Sequence, residues 1–285
     1  MKKLAVVAAV GAALLLGCET LGRLGLQIER PDVTVESVAP TRLSFSDAEI
    51  TTSLLVTNPN AAGIRLTGFS YVVDVEGVEF ISGEQTEGLD IAAFGQTSVE
   101  FPVVIGFPAL IDGVRAVRGR QEVEVVVSVE LHFDLPVLGA VEVPVRQATT
   151  LPVVRPPRLR AADLVLDSIT LSGARLELTV RFDNPNGFAV GLDSVAYAFS
   201  VRGQTWVAGQ TQTPHVVPPG AAHDIAVPMT ISFTALGRTV RDILLDDEPI
   251  AYELVARADL RPLIDLLPPV VLPFESEGRL ELRRR

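Results

Sequence analysis

The feature that most constrains the fold of this chain is a tripeptide that occurs twice. Asn58-Pro59-Asn60 recurs 126 residues later as Asn184-Pro185-Asn186. At the same spacing five further pairs are identical: Leu66 and Leu192, Tyr71 and Tyr197, Val75 and Val201, Gly77 and Gly203, and Gly83 and Gly209. These are eight identities in the 26 positions from 58 to 83, where composition alone gives about two. A repeat of this length predicts two similar domains in tandem and argues against a solenoid, whose repeats are shorter.

The boundary between the two domains is predicted at Val154-Arg155-Pro156-Pro157, because two consecutive prolines exclude regular structure and stiffen a short linker. We therefore expect a first domain over 31–154, a linker over 155–158, a second domain over 159–282 and a basic tail over 283–285. Each domain is long enough to bury a hydrophobic core unaided. Cys18 is the only cysteine, so no disulfide within the chain contributes.

The periodicity within each repeat is mostly that of β-strands. From 123 to 133 every odd position is apolar, which predicts a strand with one face on a core and the other in water. One helical stripe interrupts the strands in each repeat: Leu110, Ile111, Val114 and Val117 in the first, and Leu236, Val240, Ile243 and Leu244 in the second. The pattern predicts a mainly β protein with two tandem immunoglobulin/fibronectin-like antiparallel β-sandwich domains, each with one short α-helix.

Each repeat resembles the late embryogenesis abundant type 2 domain, also called WHy for water stress and hypersensitive response. The resemblance rests on Asn-Pro-Asn after an apolar strand, on the following strand with its Tyr and Gly, and on a Pro-flanked strand that leads to a helix. Closing strands that contain Val143-Pro144-Val145 and Leu272-Pro273-Phe274 also fit. The resemblance covers about 31 to 282. It implies small β-sandwiches without enzymatic activity, a link to desiccation and stress protection, and, in some relatives, bound lipid.

The chemistry of Asn-Pro-Asn favours a structural turn. Pro59 and Pro185 fix φ and remove a backbone donor, so the preceding strand must stop or turn there. The asparagines can bond their own backbone two residues on, and the second of each pair tolerates a left-handed conformation. The alternative is a binding role for the paired amides of Asn58 and Asn60, and of Asn184 and Asn186.

Residues 1–17 have the order of an export signal. Lys2 and Lys3 precede an uncharged apolar run over 4–16, which is too short to span a bilayer as a helix. This run ends in Leu15-Leu16-Gly17-Cys18, which resembles the lipobox of bacterial lipoproteins. The resemblance implies cleavage between Gly17 and Cys18, acylation of Cys18, and a lipidated N-terminus and tether over 18–30. The alternative is an ordinary secretory signal that happens to contain a cysteine.

The lipobox implies a bacterial cell-envelope protein that faces the periplasm and is bound to a membrane through the lipid on Cys18. Glu19 is not the Asp that marks inner-membrane retention in some bacteria, so the outer membrane is favoured over the inner. Without residues 1–17 the chain keeps 22 Arg and no Lys against 35 Asp plus Glu, a net formal charge of −13. This charge argues against nucleic acid as a partner and against attraction to anionic headgroups.

No catalytic, cofactor-binding or metal-binding residues are predicted. The sequence contains no Gly-x-Ser-x-Gly elbow, no phosphate-binding glycine loop and no His-Glu-x-x-His. His215 and His223 lie eight residues apart in a predicted loop, and a metal site there would need an acidic partner such as Asp224. That spacing is not diagnostic of any metal.

Three classes of function are weighed on this basis. The first is a membrane-anchored, non-enzymatic protein that protects the cell envelope during desiccation or other stress. The second is a lipid-binding or lipid-transfer module at the membrane surface, which requires a lined cavity of at least several hundred Å³. The third is an enzyme, which the missing motifs disfavour. The expected partners are the membrane and, for the first two classes, lipid or envelope proteins.

Overall fold

A computed structural model describes residues 28–211, 214–236, 238–246 and 248–284 of the 285-residue chain. The first repeat contains β1 (Asp32–Leu43), β2 (Asp47–Thr57), β3 (Ile64–Val75), β4 (Val78–Gln85), β5 (Leu89–Ile91), β6 (Gln96–Gly106), α1 (Phe107–Gly113), β7 (Glu122–Leu135) and β8 (Gly139–Pro152). The second contains β9 (Arg158–Ile169), β10 (Gly173–Asp183), β11 (Val190–Val201), β12 (Gln204–Thr211), β13 (His215–Val217), β14 (Ala222–Ser232), α2 (Phe233–Leu236), α3 (Arg238–Leu245), β15 (Ile250–Pro262), β16 (Val270–Leu280) and β17 (Leu282–Arg284). Each strand from β9 to β14 begins 126 residues after its counterpart in β1 to β6.

Each repeat forms two sheets. In the first repeat the strand orders are β1-β2-β6 and β4-β3-β7-β8, with β5 also paired to β3. In the second they are β14-β10-β9-β17 and β12-β11-β15-β16, with β13 also paired to β11. The registers of β3, β10, β11 and β15 with their neighbours are antiparallel. The predicted fold class, a mainly β chain with two tandem β-sandwiches and few helices, is therefore confirmed.

The Cα positions group the chain into two compact units. The first unit comprises the described residues up to Ala39, together with Thr51–Pro102 and Glu124–Thr149. The second comprises Pro40–Ile50, Val103–Val123 and the chain from Thr150 onward. These units interleave in sequence, so the proposed division into 31–154, a 155–158 linker and 159–282 stays a prediction.

The cores are built from the alternating faces that the sequence predicts. Strand β15 alternates strictly between buried and exposed residues from Ile250 to Pro262. In the second unit Leu178 and Phe182 from one sheet share a single buried cluster with Phe199 and Leu254 from the other. Burial of one such side chain stabilises the fold by roughly 1.5–3 kcal/mol. In the first unit the rings of Phe69 and Phe101 lie 4.7 Å apart between their centroids.

The helix predicted in the first repeat is present but shorter than its apolar stripe. Helix α1 ends at Gly113, Val114 is extended with φ −109° and ψ 98°, and a separate 3-10 turn covers Arg115–Val117. Glycine and a β-branched residue are weak helix formers, which explains a break at this place. In the second repeat the helical segments α2 and α3 cover Phe233–Leu236 and Arg238–Leu245. Val117 is buried although it lies beyond the end of α1, and Val240 in α3 is buried as well.

Two of the three residues in the predicted basic tail over 283–285 have defined partners. Arg283 and Arg284 belong to β17, which pairs in parallel with β9. The Arg283 guanidinium forms an ion pair with Asp163. Arg284 Nη2 donates to the carbonyl oxygens of Leu244 and Leu245 at 3.4 and 3.3 Å, where a cation complements the end of helix α3. Contacts with residues far away in sequence therefore order these two arginines.

Proline positions identify the sheet edges. Pro102 and Pro228 lie in β6 and β14, and Pro144 and Pro273 lie in β8 and β16. All four strands are at the edge of their sheets. Because proline lacks a backbone N–H, an edge position spares the sheet a missing hydrogen bond and discourages pairing with another chain.

The repeated Tyr and Gly of the sequence form cross-strand pairs. Tyr71 lies opposite Gly83 between β3 and β4, and Tyr197 lies opposite Gly209 between β11 and β12. A Cβ atom at Gly83 would lie 2.5 Å from Tyr71 Oη, and one at Gly209 would lie 3.0 Å from Tyr197 Oη. The tyrosine therefore covers the strand opposite, and only glycine leaves room for it.

We predict that Gly83→Ala destabilises the protein by about 1–3 kcal/mol, the usual cost of overpacking, because the Tyr71 ring has to move. Denaturant unfolding measures this change. Gly63→Ala is the matched control, since its Cβ would meet only the Ile91 carbonyl oxygen, at an ordinary 3.5 Å. Equal stability of the two variants would contradict the packing role of Gly83.

Candidate functional site

The asparagine side chains of the first Asn-Pro-Asn are buried and fully hydrogen-bonded. Asn58 Nδ2 donates to the carbonyl oxygens of Ala62 and Ala92 at 2.8 and 2.9 Å. Asn58 Oδ1 accepts the backbone N–H of Asn60 at 3.0 Å and the side-chain Nδ2 of Asn60, also at 3.0 Å. The first of these two bonds closes an Asx turn across Pro59. Asn58 therefore joins its own turn to the loop that follows β5.

The second asparagine holds the chain that enters the repeat. Asn60 Oδ1 accepts the backbone N–H of Glu29 at 2.7 Å, and Asn60 Nδ2 donates to the Glu29 carbonyl at 2.9 Å. The amide thus satisfies both backbone groups of Glu29, as a neighbouring β-strand would. Glu29 precedes β1 by three residues. The entry point of the first repeat is fixed by this pair of bonds.

The second repeat reproduces both bonds. Asn186 Oδ1 accepts the N–H of Arg155 at 2.7 Å, and Asn186 Nδ2 donates to the Arg155 carbonyl at 2.9 Å. Asn184 Nδ2 donates to the carbonyls of Phe188 and Pro218 at 2.8 and 3.0 Å. Arg155 follows Glu29 by the same 126 residues. Sequence reasoning missed both held residues, because only their backbone takes part and their side chains carry opposite charges.

Burial makes these bonds costly to lose. The chain contains only four asparagines, all in the two motifs. They are 0–3 % exposed, and within the described ranges Thr52 is the only other buried polar residue. Both amide hydrogens of each asparagine are used. A ligand could bind these amides only by displacing an existing bond, so the geometry favours the structural role over the binding role.

The predicted processing site, Gly17 and Cys18, lies outside the described residues. Cleavage before Cys18 and its acylation therefore stay predictions. Within residues 28–284, apart from the short gaps, we find no helix with the length and apolar character needed to cross a membrane. The first described contact towards that end of the chain is the Glu29 pair with Asn60.

The two histidines of the second repeat come together. The ring centroids of His215 in β13 and His223 in β14 are 3.5 Å apart, and the planes are nearly parallel at 14°. Burial, and then the neighbouring His215, lower the pKa of His223, whereas the Asp224 carboxylate opposes the shift. The hydrogen bond from Arg181 lowers the pKa of Asp224.

Asp224 does not complete a metal site with this pair. Its two oxygens each accept a hydrogen bond of 2.6 Å from the Arg181 guanidinium. In the part of the chain that the structure describes, no three His, Cys, Asp or Glu residues are grouped closely enough to hold a metal ion. The geometry thus gives a stacked imidazole pair beside an ion pair.

A surface groove of about 480 Å³ lies in the first unit. Leu66, Phe69 and Tyr71 from β3 form part of its lining, as do the acidic residues Glu84 and Glu100. Acidic residues in the lining make this a poor site for an acyl chain, because covering a charge with hydrocarbon removes it from water at a cost in free energy.

We predict that Asn60→Asp lowers the free energy of unfolding by about 1–3 kcal/mol, the cost of an unsatisfied buried group. The aspartate keeps the shape of the side chain but cannot donate to the Glu29 carbonyl or to Asn58 Oδ1. Denaturant unfolding measures the loss. The control is Gln147→Glu, the same amide-to-acid change at an exposed residue. A loss no greater than that of the control would refute the role of this amide.

We predict that stability falls as the pH is lowered from about 7 through about 6.5 and below, and that His223→Gln removes part of this fall. The pKa of His223 is lowered from 6.5 in the folded state. Below that value the unfolded chain therefore binds a proton that the folded chain resists, and stability that is complete at higher pH is lost.

Thermal unfolding of both proteins across this range measures the effect, with His132→Gln as the matched control. Asp47, Asp193 and Asp224 have pKa values lowered from 3.8, so their own loss of stability falls at lower pH. An unchanged pH profile for His223→Gln would contradict the prediction.

Comparisons with known proteins agree with this architecture. The chain matches the family model described as late embryogenesis abundant protein over residues 53–148 and 179–281, one segment in each repeat. It is 25% identical over 118 residues to a probable desiccation-related protein of Arabidopsis thaliana, a match that covers 41% of this chain and 78% of that protein. A desiccation protectant protein homologue of Glycine max is 24% identical over 118 residues, a match that also covers 41% of this chain and 78% of that protein.

Solved structures give matches of similar extent. A solution structure from Arabidopsis thaliana is 23% identical, covers 45% of this chain and 84% of its own, and has a TM-score of 0.37. A crystal structure from Archaeoglobus fulgidus is 13% identical, covers 44% of this chain and 97% of its own, and has a TM-score of 0.33. Because the two segments matched by the family model cover more than half of the sequence, the chain belongs to the late embryogenesis abundant type 2 family.

Proposed function

We propose that this protein is a lipid-anchored, non-enzymatic lipoprotein of the bacterial cell envelope that protects the cell during desiccation or related stress. The observation that carries the proposal is the family match in both repeats. The two plant relatives, which are named for desiccation, support the stress-related part. Periplasm-facing attachment, with the outer membrane favoured over the inner, completes the proposal.

The anchor is supported by the order of residues 1–18. A basic start, an apolar run and Leu15-Leu16-Gly17-Cys18 together favour export followed by acylation of Cys18. Several acyl chains would make a stable attachment, whereas one chain binds only reversibly. The acidic mature chain has no excess of basic residues that could hold it to anionic lipid instead.

The hydrogen bonds from Asn60 to Glu29 support a role close to the bilayer. From Cys18 to Glu29 the chain advances eleven residues, which reach at most about 36–40 Å when fully extended. Because Asn60 fixes Glu29 to the first repeat, only the segment before Glu29 can extend between the anchor and the fold. The first repeat of an acylated protein would work at the membrane surface and could not cross the periplasm.

The packing of the chemical groups supports a non-enzymatic role. The buried asparagine amides are occupied by backbone partners. Asp224, the acidic group beside the two stacked histidines, is engaged by Arg181. These groups act as structural bonds, which suits a protective module better than a catalyst.

We predict that Cys18→Ser abolishes acylation, leaves the signal peptide uncleaved by lipoprotein peptidase and removes protection of dried cells. The full-length protein and the variant are produced in a bacterial host, and intact mass, membrane fractionation and survival after drying are measured. Glu19→Gln is the matched control, since it leaves the cysteine in place.

Mature acylated protein from Cys18→Ser would overturn the lipobox assignment. An acylated wild-type protein that gives no gain in survival would overturn the protective role and leave the anchor intact. Stoichiometric phospholipid or fatty acid extracted from the purified protein would then favour the lipid-carrier alternative.

A further inference from the structure

One end of the first unit exposes three large apolar side chains. Phe94 is 70% exposed, Val137 is 93% exposed and Leu138 is 52% exposed. A scattered exposed apolar residue is ordinary, but a group of them at one end of a domain marks an interaction surface. We call these three residues the apolar tip.

The strand register brings the members of the apolar tip to the same end of the sheet. Arg65, near the start of β3, pairs with Asp90 of β5 on one side and with Asp134 of β7 on the other. The chain leaves β5 towards Phe94 and leaves β7 towards Val137. Both loops therefore emerge beside the start of β3.

The backbone of the apolar tip is strained. Phe94 has φ +55° and Val137 has φ +72°, a left-handed conformation that is unfavourable for aromatic and β-branched residues. The second repeat has Gly220, with φ +64°, at the position of Phe94. Gly220 and Phe94 donate the same hydrogen bond, to the carbonyls of Asn186 and Asn60, each at 3.0 Å. The turn needs this conformation, and glycine would adopt it without strain.

The apolar tip also lies where the tether enters. The N–H of Phe94 bonds to the backbone of Asn60, and the Asn60 side chain holds the backbone of Glu29. The segment from Cys18 to Glu29 is too short to place this end far from an anchoring bilayer. The exposed Phe94 is thus linked through Asn60, by hydrogen bonds, to Glu29, where the tether ends.

We propose that the apolar tip inserts into the lipid bilayer that carries the Cys18 anchor and so fixes the orientation of the first unit on the membrane. The proposal rests on the proposed lipid anchor. Aromatic and aliphatic side chains that enter the boundary between headgroups and acyl chains gain the free energy of leaving water. The tether supplies the proximity, and the apolar tip supplies a second contact that limits rotation.

The charged side chains Arg65 and Asp90 near the apolar tip are paired with each other, which is compatible with insertion of the apolar tip into a bilayer. Arg65 Nη1 and Asp90 Oδ1 form this ion pair at 2.8 Å. The mature chain is strongly acidic, so anionic headgroups repel it overall. Insertion should therefore depend on apolar contact and be nearly insensitive to salt.

The experiment uses the full-length acylated protein in phosphatidylethanolamine–phosphatidylcholine vesicles. Leu138→Cys provides a single free thiol, because the Cys18 sulfur is alkylated, and it is labelled with an environment-sensitive fluorophore. Leu171→Cys, at an 88% exposed leucine of the second unit, is the matched control. We expect a blue-shifted emission and a severalfold loss of quenching by aqueous iodide at residue 138 but not at residue 171, unchanged by added salt.

A second variant separates insertion from folding. Phe94→Gly, made in the Leu138→Cys background, should raise the thermal unfolding midpoint, because it relieves the strained backbone as Gly220 does. The same variant should restore iodide quenching at residue 138 towards the value in water. If Phe94 only supported the fold, its loss would lower the unfolding midpoint. A higher midpoint together with greater access of iodide to residue 138 would therefore show that Phe94 contacts the bilayer.

The outcomes are distinguishable. A chain without acyl groups by mass, which does not co-float with vesicles, refutes the anchor and with it the proposed function. An acylated, vesicle-bound chain whose probe at residue 138 is quenched as in water refutes only the insertion. Shielding that grows with the protein-to-lipid ratio also refutes it, because the occupant is then a second copy of the chain.

Discussion

The asparagine amides of Asn-Pro-Asn are the interaction on which the rest of each repeat depends. In the first repeat Asn58 and Asn60 join three segments: their own turn, the loop after β5 and the chain that enters at Glu29. An amide suits this buried place because one side chain both donates and accepts hydrogen bonds. A carboxylate or a hydroxyl cannot supply that set of bonds. Prolines between the asparagines fix the backbone that aims the two amides.

Equivalent positions of the two repeats can carry different residues where only the backbone groups make the shared hydrogen bonds. Glu29 and Arg155 carry opposite charges, yet both make the same two bonds to an asparagine side chain. Phe94 and Gly220 adopt the same left-handed backbone, although only glycine adopts it without strain. Side chains at such positions are free to acquire separate tasks without changing the fold. We propose that the first repeat uses this freedom at Phe94, beside the point where the proposed tether enters.

Family membership and the proposed N-terminal export signal are the basis for the proposed protective role at a membrane. A late embryogenesis abundant type 2 chain with two β-sandwiches offers a stable acidic body. The proposed anchor at Cys18 would hold that body at a membrane, and the proposed tether would reach the fold beside the apolar tip. The groove in the first unit is lined partly by acidic residues. The proposed function is accordingly a protective module at the bilayer surface, and a carrier of acyl chains is its alternative.

The sequence by itself determined the duplication, the mainly β class and the turn at Asn-Pro-Asn, because two-residue periodicity and Asx-turn chemistry are local properties. It could not determine the break after Gly113, the pairing of β17 with β9 or the strained backbone of Phe94. Only the tertiary structure decided that Asn60 holds Glu29, 31 residues away. Such bonds join an asparagine to backbone groups far away in sequence, and the type of residue that carries those groups does not predict the bonds. They form only when the strands between the two partners have packed.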